Sequence, residues 1–213
     1  MVFKDRRDAA EQLFELLKED KDISGDCIVV SILRGGAVIG DILSKKINAK
    51  HLPIVSVKIP ALNNPELAIG AICFDVTHIE QKTMQMLNMS KKEITKQVKE
   101  AEKKFINYCM RFDIKENRFD EIKDKCVIIT DDGIATGATL KATVEYIKNK
   151  DPMKIILAFP VSPSDIEVEG IDRSYIVYKD PSLSAISQYY DSFPQVEDEE
   201  VKQIIKKQSF FKE

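Results

Sequence analysis

The sequence predicts an α/β fold in which a mostly parallel central sheet is flanked by helices, in a Rossmann-like three-layer core. Amphipathic helical patterns alternate along the chain with short apolar runs that are typical of buried strands. Strands joined through helices pair in parallel, with right-handed crossovers. The chain has 213 residues with 44% hydrophobic content. This allows a substantial core, so we expect a single domain over residues 1–213.

The first part of the chain predicts a βαβ unit behind an N-terminal helix. Apolar residues recur at helical spacing over residues 5–19, and residues 27–32 form an apolar run typical of a strand. A glycine-containing turn at residues 33–36 then leads into a second helical pattern that reaches Ile47. Residues 54–59 alternate well enough to be the second strand of the unit.

An insertion is expected over residues 60–120. Prolines and asparagines in residues 60–66 indicate a flexible loop or hairpin, and residues 68–76 are β-prone. Ser90 followed by Glu93 forms a capping box, after which apolar residues continue at helical spacing through a long segment. We expect this amphipathic helix and the C-terminal tail to form a small hood. Its lysines are mixed with glutamates, which favours a solvated surface over an RNA-binding one.

The second half of the chain continues the alternation of strands and helices. Apolar runs predict strands at residues 126–130, 154–159 and 174–178. Helical patterns cover residues 138–150 and 198–207. The last of these helices has its acids first and its lysines last, as the helix dipole favours.

Composition narrows the classes of function. The net charge of -3, from 32 basic and 35 acidic residues, gives no overall attraction to nucleic acid or to an anionic membrane. No apolar run approaches the roughly 20 residues that span a bilayer, and the N-terminus lacks a secretory signal, so we expect a cytoplasmic protein. The cysteines and histidines lack paired zinc-ligand spacing, and we expect buried thiols and structural or exposed histidines: Cys27, Cys73, Cys109, Cys126, His51 and His78.

The most specific motif occupies residues 127–139. An apolar strand runs into Asp131 and Asp132, whose carboxylates can accept hydrogen bonds from vicinal sugar hydroxyls. A turn of small and hydroxyl-bearing residues follows and opens a helix, where free N–H groups suit an anion. The motif therefore predicts a ribose-phosphate site, in which the small residues Gly133, Ala135, Gly137 and Ala138 let the backbone approach and Thr136 and Thr139 add hydroxyl donors. The glycine patterns of P-loop and dinucleotide-binding proteins are absent from the sequence.

Residues 127–139 resemble the 5-phosphoribosyl 1-pyrophosphate motif of the type I phosphoribosyltransferases. Five further segments resemble one subgroup of predicted phosphoribosyltransferases: residues 3–6, 33–36, 64–71, 160–161 and 189–196. The resemblance implies an enzyme that uses 5-phosphoribosyl 1-pyrophosphate with Mg2+. Such an enzyme transfers the phosphoribosyl group to a small nitrogen acceptor, often a nucleobase, and releases pyrophosphate.

The resemblance also implies roles for individual residues. Asp131 and Asp132 would hold the ribose 2- and 3-hydroxyls, directly or through magnesium, and residues 133–139 would bind the 5-phosphate. Arg34, with Asp131 and Asp132, would be catalytic. Arg34, Gly35 and Gly36 would bind pyrophosphate, in a loop that in this family often contains a non-proline cis peptide.

Lys58 stands at the mouth of the loop at residues 60–66, which corresponds to the flexible loop that closes over the donor in the family. It could therefore meet the pyrophosphate, although a solvated lysine at a strand end is equally compatible with the sequence. Val57 stands where the subgroup usually has a basic residue, which reduces the positive charge available to the leaving group.

The acceptor stays open at this point. In the family the base is read by a variable hood and by a loop that corresponds to residues 160–164 here, with the long amphipathic helix and the tail near Phe193 as further candidates. The alternative is a non-catalytic regulator that binds the donor, but the chain lacks the positive charge that a nucleic-acid surface needs. A hydrolase or phosphatase is remote because Gly-x-Ser-x-Gly is absent. A homodimer is a further expectation.

Overall fold

The computed structural model describes residues 2–23, 25–62 and 64–209. The chain begins with α1 (Arg6–Leu17), which is capped by the Asp5 side chain, and continues through β1 (Ile28–Ile32), α2 (Gly36–Lys46) and β2 (Lys50–Ile54). β1 and β2 pair in parallel, which confirms the predicted βαβ unit. The second strand was misplaced in the prediction: residues 54–59 span the end of β2 and the start of the next strand, because the chain leaves the sheet between them.

The insertion builds a second, smaller sheet. β3 (Val57–Ala61), β4 (Asn64–Cys73) and β5 (Val76–Ile79) pair antiparallel, so most of the predicted loop at residues 60–66 belongs to the end of β3 and the start of β4 in a hairpin. Ser24 and Asn63, which fall in the predicted turn and loop, lie outside the described residues. Next come α3 (Gln81–Met86), α4 (Lys91–Phe112) and a 3-10 helix (Glu116–Ile122). The capping box is confirmed, since Ser90 and Glu93 bond reciprocally at the start of α4.

The remaining elements complete the central sheet. They are β6 (Cys126–Thr130), α5 (Ala138–Lys148), β7 (Lys154–Ser162), β8 (Arg173–Lys179), a 3-10 helix (Ile186–Tyr189) and α6 (Asp198–Ser209). The sheet has the order β2-β1-β6-β7-β8, and all its neighbouring strands are parallel. The predicted mostly parallel sheet is thus confirmed.

Two apolar cores cover the two faces of the central sheet. Val29 and Ile128 pack on one face against α1, α2 and the tail around Tyr190. Val30 and Ile129 pack on the other face against α5, the small sheet, α4 and α6. All residues of β1 and β6 are buried, as strands covered on both faces must be. The two parts of the predicted hood lie on different faces: α4 packs on the second face, whereas the tail residues Tyr190 and Phe193 pack on the first.

The sheet order places a crevice between β1 and β6. The connection after β1 runs through α2 on one face, whereas the connection after β6 runs through α5 on the opposite face. The two loops therefore separate at the carboxyl edge of the sheet, which is where ligands bind in open α/β folds. These loops are residues 33–36 and 131–137, the two motifs that the sequence analysis singled out.

The cysteines and histidines are mostly buried. Cys27, Cys73 and Cys126 are buried and Cys109 is partly buried, as predicted. His51 is buried with its Nε2 2.7 Å from Ser31 Oγ, and burial lowers its pKa to about 3. Within residues 2–23, 25–62 and 64–209, every helix is too short or too polar to cross a membrane.

The buried His51 predicts a loss of stability in acid. Its folded-state pKa of about 3 lies below the usual 6.5, so the unfolded chain binds the proton more readily and stability falls as the pH drops below about 6.5. At pH 5 His51 should lower the free energy of unfolding by about 2 kcal/mol relative to its value above pH 6.5. Urea unfolding at pH 7 and pH 5 should therefore show a smaller acid loss for His51→Gln than for the unaltered protein. Equal acid losses in His51→Gln and the unaltered protein would contradict this assignment.

Candidate active site

A cavity of about 450 Å³ lies at the carboxyl ends of the central strands. Asp131, Lys58 and most of the predicted phosphate segment contribute to its wall. Its lining residues are Ile32, Lys58, Asp131, Gly133, Ile134, Ala135, Thr136, Gly137, Thr139, Leu140, Phe159, Ser184, Ala185 and Ile186. The fold thus brings together residues that are far apart in the sequence, and it does so at the crevice between β1 and β6.

The phosphate segment is shaped for close backbone approach. A Cβ atom on Gly133 would lie 2.8 Å from side-chain atoms of Val161 and Ile186, so only glycine fits there without movement. Gly137 has φ +78 at the N-cap of α5, a conformation that glycine adopts readily. It provides no side-chain cap, which leaves the first turn of α5 suited to an anion.

Asp131 presents a carboxylate to the cavity. The residue is partly buried and lines the cavity wall. Its Oδ1 accepts a hydrogen bond of 2.8 Å from the backbone amide of Asp132. Burial raises the pKa of Asp131 well above its usual value, and the neighbouring Asp132 carboxylate adds to that rise. A cation or a hydroxyl donor in the cavity would therefore stabilise its charged form.

Asp132 makes different contacts from Asp131. Its Oδ2 accepts a hydrogen bond of 2.8 Å from Nε of Arg6 and lies 2.8 Å from Nη2, in a buried ion pair. Burial raises the pKa of Asp132, whereas the Arg6 guanidinium opposes that rise. Of the two acids expected to face the sugar, Asp131 lines the cavity in this structure and Asp132 is paired outside the lining.

The loop after β1 rests on both acids. A Cβ on Gly35 would lie 1.9 Å from Asp132 Oδ2, and one on Gly36 would lie 2.9 Å from Asp131 Oδ1. The two glycines therefore allow this loop to approach the acidic motif. The peptide bond between Leu33 and Arg34 is cis, as the family resemblance implies.

Arg34 forms an ion pair and a hydrogen bond with residues of the C-terminal tail. Its Nη1 lies 3.1 Å from Asp198 Oδ1, and Asp198 also pairs with Arg111 at 3.0 Å. With its amide oxygen turned towards the guanidinium, Gln195 accepts a hydrogen bond of 3.0 Å from the same Nη1. Arg34 therefore lies at the rim between the β1 loop and α6, whereas Lys58 reaches the cavity lining from β3.

Two groups of site residues escaped the sequence analysis. The wall at residues 184–186 follows β8, and the carboxyl end of a parallel strand was a signal that could have identified it. Arg6 could have been identified as a charged residue at helical spacing with the apolar Ala9, Leu13 and Leu17. Of the elements expected to read the acceptor, α4, Phe193 and residues 160–164 all lie outside the cavity lining, although the adjacent Phe159 belongs to it.

Gly35→Ala tests the packing of the β1 loop on the acids. Because the new methyl group would overlap the Asp132 carboxylate, we expect a loss of about 1–3 kcal/mol in the free energy of unfolding, measured with urea. Gly25→Ala is the control and should cost less, because Gly25 is exposed and a Cβ there would lie no closer than 3.0 Å to its nearest atom, the Asn48 backbone oxygen. Equal costs for the two substitutions would contradict the close packing of Gly35 on Asp132.

Comparisons with known proteins agree with this geometry. The model of the phosphoribosyl transferase domain matches residues 2–177. Two strains of Mycobacterium tuberculosis have a protein with the provisional name phosphoribosyl transferase, and each is 31% identical to this chain over 215 residues. The matches cover 94% of this chain and 45% of each relative, so the chain spans about half the length of these curated relatives.

Solved structures share the fold. A protein from Thermus thermophilus superposes with a TM-score of 0.71 at 22% identity, over 96% of this chain and 98% of that chain. A hypothetical protein from Neisseria gonorrhoeae with bound ppGpp has a TM-score of 0.51 at 10% identity, with 97% and 96% of the two chains covered. Since the domain model covers most of the sequence, the chain belongs to the phosphoribosyl transferase domain family.

Proposed function

We propose that the chain transfers the 5-phosphoribosyl group from 5-phosphoribosyl 1-pyrophosphate to a nitrogen acceptor and releases pyrophosphate. A nucleobase is the proposed acceptor, as in nucleotide salvage. One observation carries the proposal: a single cavity is lined by Asp131, by the glycine-rich segment at the start of α5 and by Lys58. These groups match the ribose, the 5-phosphate and the pyrophosphate of the donor, respectively.

The 5-phosphate is assigned to residues 133–139. Backbone amides at a helix N-terminus bind phosphate well because they are free donors and because the helix dipole favours negative charge. Thr136 and Thr139 line the cavity beside these amides and add hydroxyl donors. This placement directs the ribose towards Asp131, which lies at the end of β6 in the same cavity wall.

The pyrophosphate is assigned to Lys58 and to the loop Arg34, Gly35 and Gly36. Lys58 contributes a cation to the lining directly. Arg34 would have to exchange Asp198, which it contacts at 3.1 Å, for the pyrophosphate. Both partners are anions, so the guanidinium would stay paired throughout that exchange.

The residues present fit a magnesium ion that arrives with the donor. Magnesium in such sites uses one or two carboxylates, together with water and substrate phosphates. Asp131 supplies one carboxylate in the cavity, and the described residues contain no cluster of three metal-ligating side chains that could form a protein cage. Asp131 would therefore hold the ion, directly or through water, and Asp132 could join only by leaving Arg6. When bound, the ion would offset the charge of the pyrophosphate.

The proposed reaction needs no protein nucleophile. It needs stabilisation of the charges on the ribose and the pyrophosphate, and exclusion of water from the cavity. Cleavage at the anomeric carbon places positive charge on the ribose, which the Asp131 carboxylate would stabilise, and negative charge on pyrophosphate, which Lys58 and Arg34 would stabilise. The apolar wall of Ile32, Phe159 and Ile186 would limit the access of water and suits a flat ring as acceptor.

Asp131→Asn tests the donor assignment. The donor with magnesium should raise the melting temperature of the unaltered protein, because a ligand that binds the native state stabilises it by about 2.7 kcal/mol at 100 times its Kd. Asp131→Asn should lose more than half of that shift, because it removes the carboxylate in the cavity. Glu19→Gln removes one exposed carboxylate at the end of α1 and should keep the shift. If Asp131→Asn keeps the full rise in melting temperature, Asp131 does not bind the donor and the assignment is wrong.

An acceptor panel tests the transfer. Purines, pyrimidines and related amines would be assayed separately for donor-dependent release of pyrophosphate, and at least one should support turnover. Tight donor binding without turnover on any acceptor would favour the non-catalytic regulator. A regulator that acts on RNA or DNA should in addition give a gel shift that weakens steeply with salt.

A further inference from the structure

Arg6 is a buried charge in an apolar setting. It shares the buried face of α1 with Ala9, Leu13 and Leu17, and its side chain is only 10% exposed. A cation at such a position is costly unless it is paired and hydrogen-bonded. Its contacts must therefore account for its presence in the core.

Each of the three guanidinium nitrogens of Arg6 has a partner. Nε and Nη2 each lie 2.8 Å from Asp132 Oδ2, and Nη1 donates a hydrogen bond of 2.7 Å to the backbone oxygen of Pro194. The guanidinium carbon lies 3.8 Å from the ring centre of Phe193, which adds a cation–π contact. Arg6 thus links the acidic motif to the C-terminal tail.

The segment before α1 and the segment between β8 and α6 are joined to each other and to Asp132 by hydrogen bonds. Phe3 accepts a backbone hydrogen bond of 2.9 Å from Asp191 and donates one of 2.9 Å to Tyr189. The Tyr190 hydroxyl donates a hydrogen bond of 2.7 Å to the backbone oxygen of Asp132. We call residues 2–6 and 189–194 the terminal clamp, because Arg6 binds the carboxylate of Asp132 and Tyr190 binds its backbone oxygen.

The clamp acts on both neighbouring parts of the site. Asp132 donates its amide to Asp131 Oδ1, so the orientation of one acid affects the other. Gly35 packs directly on the Asp132 carboxylate, so the same acid supports the β1 loop. Without Arg6, a second buried negative charge would stand beside Asp131 with no cation to offset it.

We propose that Arg6 is a positioning residue for donor binding: it holds Asp132 beneath Gly35, so that Asp131 presents its carboxylate to the ribose and the loop at residues 34–36 stays aligned for the pyrophosphate. This inference rests on the proposed function. It assigns the two acids different tasks, with Asp131 at the ligand and Asp132 in the support. Arg6 itself acts through Asp132 and does not touch the donor.

Calorimetric titration of the full chain with 5-phosphoribosyl 1-pyrophosphate and magnesium tests this division of tasks. Arg6→Met removes the charge and keeps an apolar stem, and it should weaken donor binding at least tenfold. Arg6→Met combined with Asp132→Asn should recover affinity relative to Arg6→Met alone, because the unpaired carboxylate is gone. Arg7→Met changes the exposed neighbour and should leave the donor affinity unchanged.

The outcomes separate positioning from a general structural role. If Arg6 only stabilises the fold, Arg6→Met should lower the melting temperature while the folded protein binds the donor as before, which would overturn the proposal. Absence of recovery in the double variant would overturn it too. If Arg6→Met does not fold, Arg6→Lys keeps the charge and loses the two-nitrogen contact; it should weaken binding about threefold to tenfold, and unaltered affinity would count against the proposal.

Failure of the proposed function gives a different result. The unaltered protein would then show no binding of the donor with magnesium, before any variant is compared. Binding by the unaltered protein with equal affinity in all the Arg6 variants would instead leave the function intact and overturn only the role of Arg6.

Discussion

Two consecutive carboxylates, Asp131 and Asp132, stand at the end of a fully buried strand, where burial raises the pKa of both and limits how far water can offset their mutual repulsion. The structure separates their environments. Asp132 turns to the buried Arg6, whereas Asp131 faces a cavity where a ligand can supply the missing positive charge or hydrogen-bond donors. The elements that surround the acids are arranged around this separation: the N-terminal helix provides the arginine, the tail packs on that arginine, and the β1 loop rests on both acids.

The parallel sheet determines where this acidic pair meets the rest of the site. β1 and β6 are neighbours with their carboxyl ends at the same edge, although a whole antiparallel insertion separates them in the chain. The helices that follow them lie on opposite faces, so the loops diverge and leave room between them. The insertion returns Lys58 to the same cavity through β3. The site is therefore a consequence of strand order combined with a few residues at strand ends.

Local patterns in the sequence predicted much of the fold. The capping box at Ser90, the apolar run of β6 and the small residues after it each depend on neighbours within a few positions, and each appears where it was expected. The boundary of β2 was wrong because the alternating pattern of residues 54–59 continues across a change of sheet, and hydrophobicity does not reveal where a strand changes partners. The second sheet likewise depends on pairing between segments, which periodicity does not encode.

The sequence named many residues of the candidate site but did not predict how they are arranged. The motif at residues 131–139 indicated a sugar phosphate, and seven of its nine residues line one cavity. The different settings of Asp131 and Asp132 depend on Arg6, which is 126 positions from Asp132, so no local pattern could reveal them. The wall at residues 184–186 joins the cavity only because β8 is parallel to β7 and ends at the same edge.

A crystal structure of the protein with 5-phosphoribosyl 1-pyrophosphate and magnesium would test the central claim most directly. The account predicts ribose hydroxyls at Asp131, the 5-phosphate at the amides of residues 133–139, and an intact ion pair between Arg6 and Asp132. A donor that binds elsewhere, or an Asp132 carboxylate that leaves Arg6 to contact the ribose or the metal, would contradict it.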